Sequence, residues 1–340
     1  MHTEVLTAAA SPSRDGASRG VRAAWAKPAV RIAALAVIVL ALTAVYLFTD
    51  IPGSVLFALK VRGLTVVSML VIATAVGVST VVFHTITQNR ILTPSIMGFD
   101  AFYMLISTIV VFFLGSTTFL GADELVLWIV QVIVMVAFSV FLFTWLFGGK
   151  RRSLHLMLLV GIVLGTFLRG LTEWMQRMLD PLEFQILSDA MFASLTRPDP
   201  MLLTFTAVLV GSGVIAVVPL MHTLDVLTLG EPVAVGLGVN HRRTVMALFT
   251  IVSVMIAAST ALAGPILFFG LIVANLASSY AGTFRHSWTL PAAALIGVGC
   301  LLLAQIVLEQ IFSFGGSLSM VIEFAGGLFF LYLVLRKGAR

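Results

Sequence analysis

Ten apolar stretches, each close to the length that crosses a bilayer and each parted from the next by a short polar break, occupy nearly the whole chain. They run at roughly 30–48, 63–84, 96–115, 125–147, 154–172, 201–220, 244–263, 265–281, 288–308 and 318–335. An apolar helix needs about 20 residues to cross the hydrocarbon core, which these runs supply. Hydrophobic residues make up 60% and charged residues 10% of the 340 positions, more apolar surface than one water-soluble core could bury. The runs lack the alternation of barrel strands, and in lipid each backbone polar group must be satisfied within its own segment. The chain therefore reads as an all-α integral membrane protein of about ten transmembrane helices.

Orientation follows from the placement of Lys and Arg, which cytoplasmic loops retain. With the N-terminus inside, fifteen of the 20 basic residues fall on the inner side, among them Arg90, Lys150, Arg151, Arg152, Arg242, Arg243, Arg285, Arg336 and Lys337. The outer side holds Lys60, Arg62, Arg169, Arg177 and Arg197 together with most of the acids. Both termini are thus expected in the cytoplasm, and the location is the plasma or inner membrane. The net charge of +5 is a topology signal; without a basic, aromatic-interleaved face, nucleic acid is not an expected partner. Residues 1–29, rich in Ala, Ser, Arg and Gly without apolar periodicity, read as a disordered cytoplasmic tail, and 30–340 as one transmembrane domain.

The longest polar break, 173–200, is too short for a soluble catalytic domain. The histidines His2, His84, His155, His222, His241 and His286 have no metal-ligand spacing, and the one cysteine, Cys300, lies within an apolar run. Gly148-Gly149-Lys150-Arg151 lacks the earlier glycine and the following Ser or Thr of a phosphate loop. No catalytic residue and no metal site are assigned, and any nucleotide energy is expected from another subunit. Ionisable groups within spans are few, Glu323 and Arg169 being the clearest, which argues against a proton relay.

Three stretches carry more information than the spans. Leu224 to Asn240 reads as a short cytoplasmic helix: Thr228 and Glu231 have capping-box spacing, Pro232 is tolerable only in a first turn, and Gly238 can end it. Such a helix either merely connects two spans or inserts apolar side chains into a cytoplasmic partner's groove. Asn89, Pro94 and Gly98 interrupt apolar sequence where a continuous helix would be cheapest, and Gly264-Pro265 opens a helix at or within the outer leaflet. Breaks at membrane depth are tolerated only against protein or a water-filled cavity.

These stretches carry a resemblance. Leu227-Thr228-Leu229-Gly230-Glu231, continuing through Ala234 to Leu237-Gly238-Val239, resembles the coupling-helix signature of permease subunits of iron-siderophore (FecCD-like) and cobalamin ABC importers. Gln88 to Asp100 resembles the break after the second span in ferric-siderophore permeases, and Gly264-Pro265-Ile266-Leu267-Phe268-Phe269-Gly270 resembles the family's Gly-Pro-opened helix. The similarity runs from about residue 30 to the C-terminus. It implies a permease for a ferric siderophore, with broken helices lining a pathway at Asn89, Pro94, Gly98, Gly264 and Pro265. It also implies a second permease subunit, two cytoplasmic ATPase subunits that bind ATP and magnesium and dock at about 225–240, and an extracytoplasmic binding protein. No cofactor is expected in this chain itself. Cobalamin or haem are alternative cargoes, and an ion-coupled secondary transporter is the alternative class.

In the family, basic residues before the second span meet carboxylates of the binding protein. The matching positions here are Lys60 and Arg62, although the usual Arg-x-Pro-Arg pattern is replaced by Lys-Val-Arg-Gly, and a second basic position of some relatives is Glu309. Phe184, Leu187, Met191 and Leu195 have helical spacing and read as a short helix at the outer interface or over the pathway. Glu323 is either a bundle-interior residue with a hydrogen-bond partner or a pathway residue.

Overall fold

The computed structural model describes residues 27–49, 54–95, 98–147, 154–191, 198–312 and 317–338. Over these residues the chain is helical: α1 Pro28–Phe48, α2 Val55–Thr87, α3 Phe99–Leu114, α4 Ser116–Gly121, α5 Glu124–Phe147, α6 Leu154–Gln176 and α7 Pro181–Met191. There follow α8 Pro200–Val217, a 3-10 turn, α9 Met221–Leu227, α10 Glu231–Gly236, α11 His241–Ala263, α12 Phe269–Ala281, α13 His286–Gln310 and α14 Leu318–Gly338. Among the described residues, six helical stretches are long and apolar enough to cross a membrane: α1, α2, α5, α8 continued through α9, α11 and α13. Three more, α3, α12 and the start of α14, are shorter apolar helices. The multi-pass helical membrane architecture expected from the sequence is the one observed.

The core is built on α2, α11 and α13, the most buried of the long helices, with α1, α5, α8 and α12 packed around them. Small residues let α2 and α13 close on each other. Ala73 and Gly77 on α2 and Ala293 and Gly297 on α13 each stand four residues apart, hence on one face of their helix. A Cβ added to Gly297 would lie 2.9 Å from the Ala73 Cβ, and one on Gly77 would lie 3.0 Å from the Ala293 carbonyl oxygen. Such small-residue seams replace the hydrophobic drive that lipid does not supply. By contrast α1 and α8 expose Val37, Leu40, Phe48, Val208 and Ile215, the surface expected toward acyl chains.

Several boundaries differ from the sequence reading, each for a local reason. The second span begins at Val55 rather than 63, because Lys60 and Arg62 are good helix formers and polarity alone does not end a helix. At 33 residues α2 is about 50 Å long and overruns the hydrocarbon core, about 30 Å thick. The first span starts at Pro28, where proline occupies the first helical position and needs no N–H partner, so the last residues assigned to the tail are helical. The eighth span starts at Phe269 and not at Pro265: Gly264 caps α11, and the chain turns through 265–268 before becoming helical. The remainder of the 1–29 tail, the Gly148–Arg151 loop and Leu195 lie outside the described residues.

Candidate functional site

The stretch between α8 and α11 forms a compact element at the end of the bundle where α2 terminates. Helix α9 docks through Leu224 and Leu227, both buried, against α2 and α13. After α9 the chain reverses at Gly230, whose φ of +92° lies in the region that L side chains disfavour. Glu231 and Pro232 then open α10, with proline in its first turn as expected. Helix α10 closes with a Schellman motif: the Val239 N–H donates to the Ala234 carbonyl at 3.0 Å and the Gly238 N–H to the Val235 carbonyl at 3.0 Å.

The capping box expected from Thr228 and Glu231 does not form. The Thr228 hydroxyl instead donates back to the Asp225 carbonyl at 2.6 Å, on the end of α9. Glu231 stands at the first position of α10, because the break at Gly230 separates the two residues into different helices.

Ala234 is the one fully buried side chain of α10, which leaves its other faces outward. Val233 and Leu237, four residues apart on α10 and its C-cap, are 47% and 62% exposed, with Val235 at 54%, and Leu229, on the turn before Gly230, is 60% exposed. An apolar ridge on a loop-borne helix is the face that a partner's groove covers.

A polar cluster ties this element to the bundle. The backbone N–H of His286, at the start of α13, donates to Asp225 Oδ1 at 2.8 Å, and His286 Nδ1 lies 2.6 Å from the same oxygen. His286 Nε2 lies 2.8 Å from the Thr85 hydroxyl near the end of α2. Gln88, in a left-handed conformation after α2, donates from Nε2 to the carbonyls of Thr85 at 2.8 Å and Leu227 at 2.9 Å. Periodicity cannot reveal such a cluster, since its members are far apart in sequence. The polar positions Asp225, His286 and Gln88 at helix ends are its trace in the sequence.

The helix-break residues separate into two places. Asn89 Oδ1 accepts from the Ile91 N–H at 2.9 Å, and Pro94 lies in the irregular segment that follows. At Gly98, with φ +107°, a Cβ would sit 3.2 Å from the Gly165 Cα, so the start of α3 is pressed against α6. Pro265 and Glu323 instead share a cavity of about 250 Å³ with Met104, Gln176, Phe184, Ser188 and Ser319. That cavity is framed by α3, α6, α7, the 264–268 turn and α14, so the described part of the helix anticipated over 184–195 does border it. Gly264 caps α11 through its N–H to the Thr260 carbonyl at 2.8 Å.

At the opposite end of α2, Lys60 is exposed. Arg62 faces inward: it donates to the Tyr46 carbonyl at 2.8 Å, lies over the Tyr46 ring and reaches Glu309 at 3.6 Å. Glu309 also accepts from Gln305 at 2.8 Å. Glu309 thus has an internal partner on α2.

With this geometry in place the chain can be compared with known proteins. The FecCD transport family matches residues 31–336. The chain belongs to that family. Among similar proteins, the petrobactin import system permease protein YclO of Bacillus subtilis (strain 168) is 37% identical over 308 residues, covering 91% of this chain and 98% of YclO. The petrobactin import system permease protein FatC of Bacillus anthracis is 38% identical over 282 residues, covering 82% of this chain and 79% of FatC. A metal-chelate type ABC transporter solved in an inward-facing conformation shares the fold, with a TM-score of 0.78 at 21% identity over 91% of this chain and 99% of that one. Membership makes this a multi-pass transport protein of the cell membrane, as its apolar helices require.

Proposed function

We propose that this chain is the permease subunit of an ABC importer that brings a ferric siderophore into the cytoplasm, petrobactin being the first chelate to test. The observation that carries the reading is the near full-length similarity to YclO, a petrobactin import permease. The cytoplasmic handle fits it: Leu229, Val233 and Leu237 leave exposed apolar side chains on α10 and its flanks, of the kind a separate ATPase would grip. The full assembly has a second permease, identical or related, two ATPase subunits binding ATP and magnesium, and an extracytoplasmic binding protein. This chain contributes no nucleotide site, and ATP-driven movement of α9 and α10 switches the open side of the pathway as a rigid-body change.

The test is uptake of radiolabelled ferric petrobactin into proteoliposomes holding the permeases and ATPases, with binding protein outside and ATP inside. Uptake is expected only when ATP, ATPase and binding protein are all present. Uptake driven by an ion gradient without the ATPase would contradict the reading in favour of a secondary transporter.

Docking of the binding protein rests chiefly on Lys60, since the Arg62 guanidinium is engaged within the bundle. Lys60→Glu should weaken binding-protein affinity about threefold at low salt and much less at high salt, as expected of a rim charge. Equal affinity at low ionic strength would remove Lys60 from the interface.

A further inference from the structure

We infer that Asp225, His286, Thr85 and Gln88 form a strut that makes the handle move as one body with the α2–α13 pair, so that its force reaches the bundle through these residues. The inference rests on the proposed function and adds to it the residues that transmit the stroke. Asp225 sits on α9, directly before the handle, while His286 opens α13 and Thr85 and Gln88 close α2. Three helices therefore meet through side chains rather than through chain continuity.

The chemistry makes the junction directional and stiff. The Asp225 carboxylate only accepts, so the proton between it and His286 Nδ1 is the imidazole's, and this fixes the ring orientation. The same oxygen takes the His286 backbone N–H, one of the donors that a helix start leaves without an intrahelical partner. A carboxylate there also complements the positive end of the α13 dipole. The ring's other nitrogen then engages Thr85, which is buried, as is His286. Hydrogen bonds in such water-poor surroundings hold geometry more firmly than exposed ones.

Gln88 adds an independent observation. Among the described residues it is the one non-glycine with positive φ, a conformation that costs free energy unless its surroundings hold it. What holds it is its amide, which bridges the last turn of α2 to the carbonyl of Leu227, the final residue of α9.

The pair that receives the force is itself fixed along its length. The seam of Ala73, Gly77, Ala293 and Gly297 closes its middle, and Arg62 with Glu309 ties its far end. A displacement at α9 is thus delivered to a beam about 50 Å long and not dissipated in a loop.

The experiment measures chelate transported per ATP hydrolysed in the reconstituted complex of both permeases, ATPases and binding protein. His286→Ala and the near-isosteric Thr85→Val are compared with wild type, and unfolding midpoints are recorded alongside. Both variants are expected to retain ATP hydrolysis while transport per ATP falls about three- to tenfold, the span a single position in a coupling network commands. His286→Asn, which keeps a donor toward Asp225, should recover part of the loss. Transport per ATP equal to wild type in Thr85→Val would overturn the strut, and this variant carries the test if His286→Ala fails to assemble. Absence of ATP-dependent transport in wild type would instead overturn the proposed function, which keeps the two failures apart.

Discussion

Single residues decide whether the handle keeps its shape. A Cβ at Gly230 would meet only Pro232 Cδ at 3.9 Å, so the obstacle to substitution there is conformational and not steric. Gly230→Ala should cost about 1–2 kcal/mol, the penalty for holding an L residue at positive φ. Its signature is lower ATPase stimulation by the permease, with Gly230→Asn affected as strongly, since φ +92° with ψ 160° lies outside the left-handed helical region that asparagine tolerates. Stimulation equal to wild type in the alanine variant would show that the turn is not needed. Asp100 poses a different question at the start of α3. Its carboxylate is buried, with the Ser95 hydroxyl beside it and no other hydrogen-bond partner among the described residues. Arg169 and Glu323 lie near enough for their charges to act on it. A carboxylate buried at membrane depth with so few partners is costly, so Asp100→Asn should unfold in detergent no earlier than wild type, and Asp100→Lys markedly earlier. A lower midpoint for the asparagine variant would mean that the negative charge itself holds α3 in place.

Elements were largely legible in the sequence, because the bilayer fixes their length and apolar character. The runs at 125–147, 154–172 and 288–308 fall within the helices α5, α6 and α13 almost residue for residue. Junctions were less legible. Thr228 and Glu231 had the spacing of a capping box, yet the backbone reversal at Gly230 placed them in different helices. Local spacing states which bonds are possible, whereas tertiary context decides which form. Likewise Arg62 looked like a free outer charge, and only the three-dimensional approach of α1 and α13 showed its partners Tyr46 and Glu309. The α2–α13 seam was invisible to a hydropathy reading, since Gly and Ala score as unremarkable apolar residues. It yields a clear contrast: Gly297→Leu must displace Ala73, whereas Gly211→Leu meets open space. The former should lower stability by about 1–3 kcal/mol, as overpacking does, and the latter scarcely at all. Thermal unfolding in detergent checks both, and equal midpoints for the two variants would refute close packing of α2 on α13.

At the scale of the whole molecule the proposed function makes the bundle a pathway with a handle, driven from outside. Its polar breaks are concentrated where the chain turns, around 88–95, 228–230 and 264–268, while the central helices meet mainly through apolar and small side chains, with Thr85–His286 and Arg62–Glu309 at the two ends of the α2–α13 pair. Everything then depends on Leu229, Val233 and Leu237 lying in the cytosol and being covered by the ATPase. The most direct measurement introduces Leu237→Cys in a Cys300→Ser background and labels it with a membrane-impermeant maleimide in oriented vesicles. Labelling is expected from the cytoplasmic side alone and should be suppressed when the ATPase subunits are bound. Labelling from the external side, or labelling unchanged by the bound ATPase, would contradict the account.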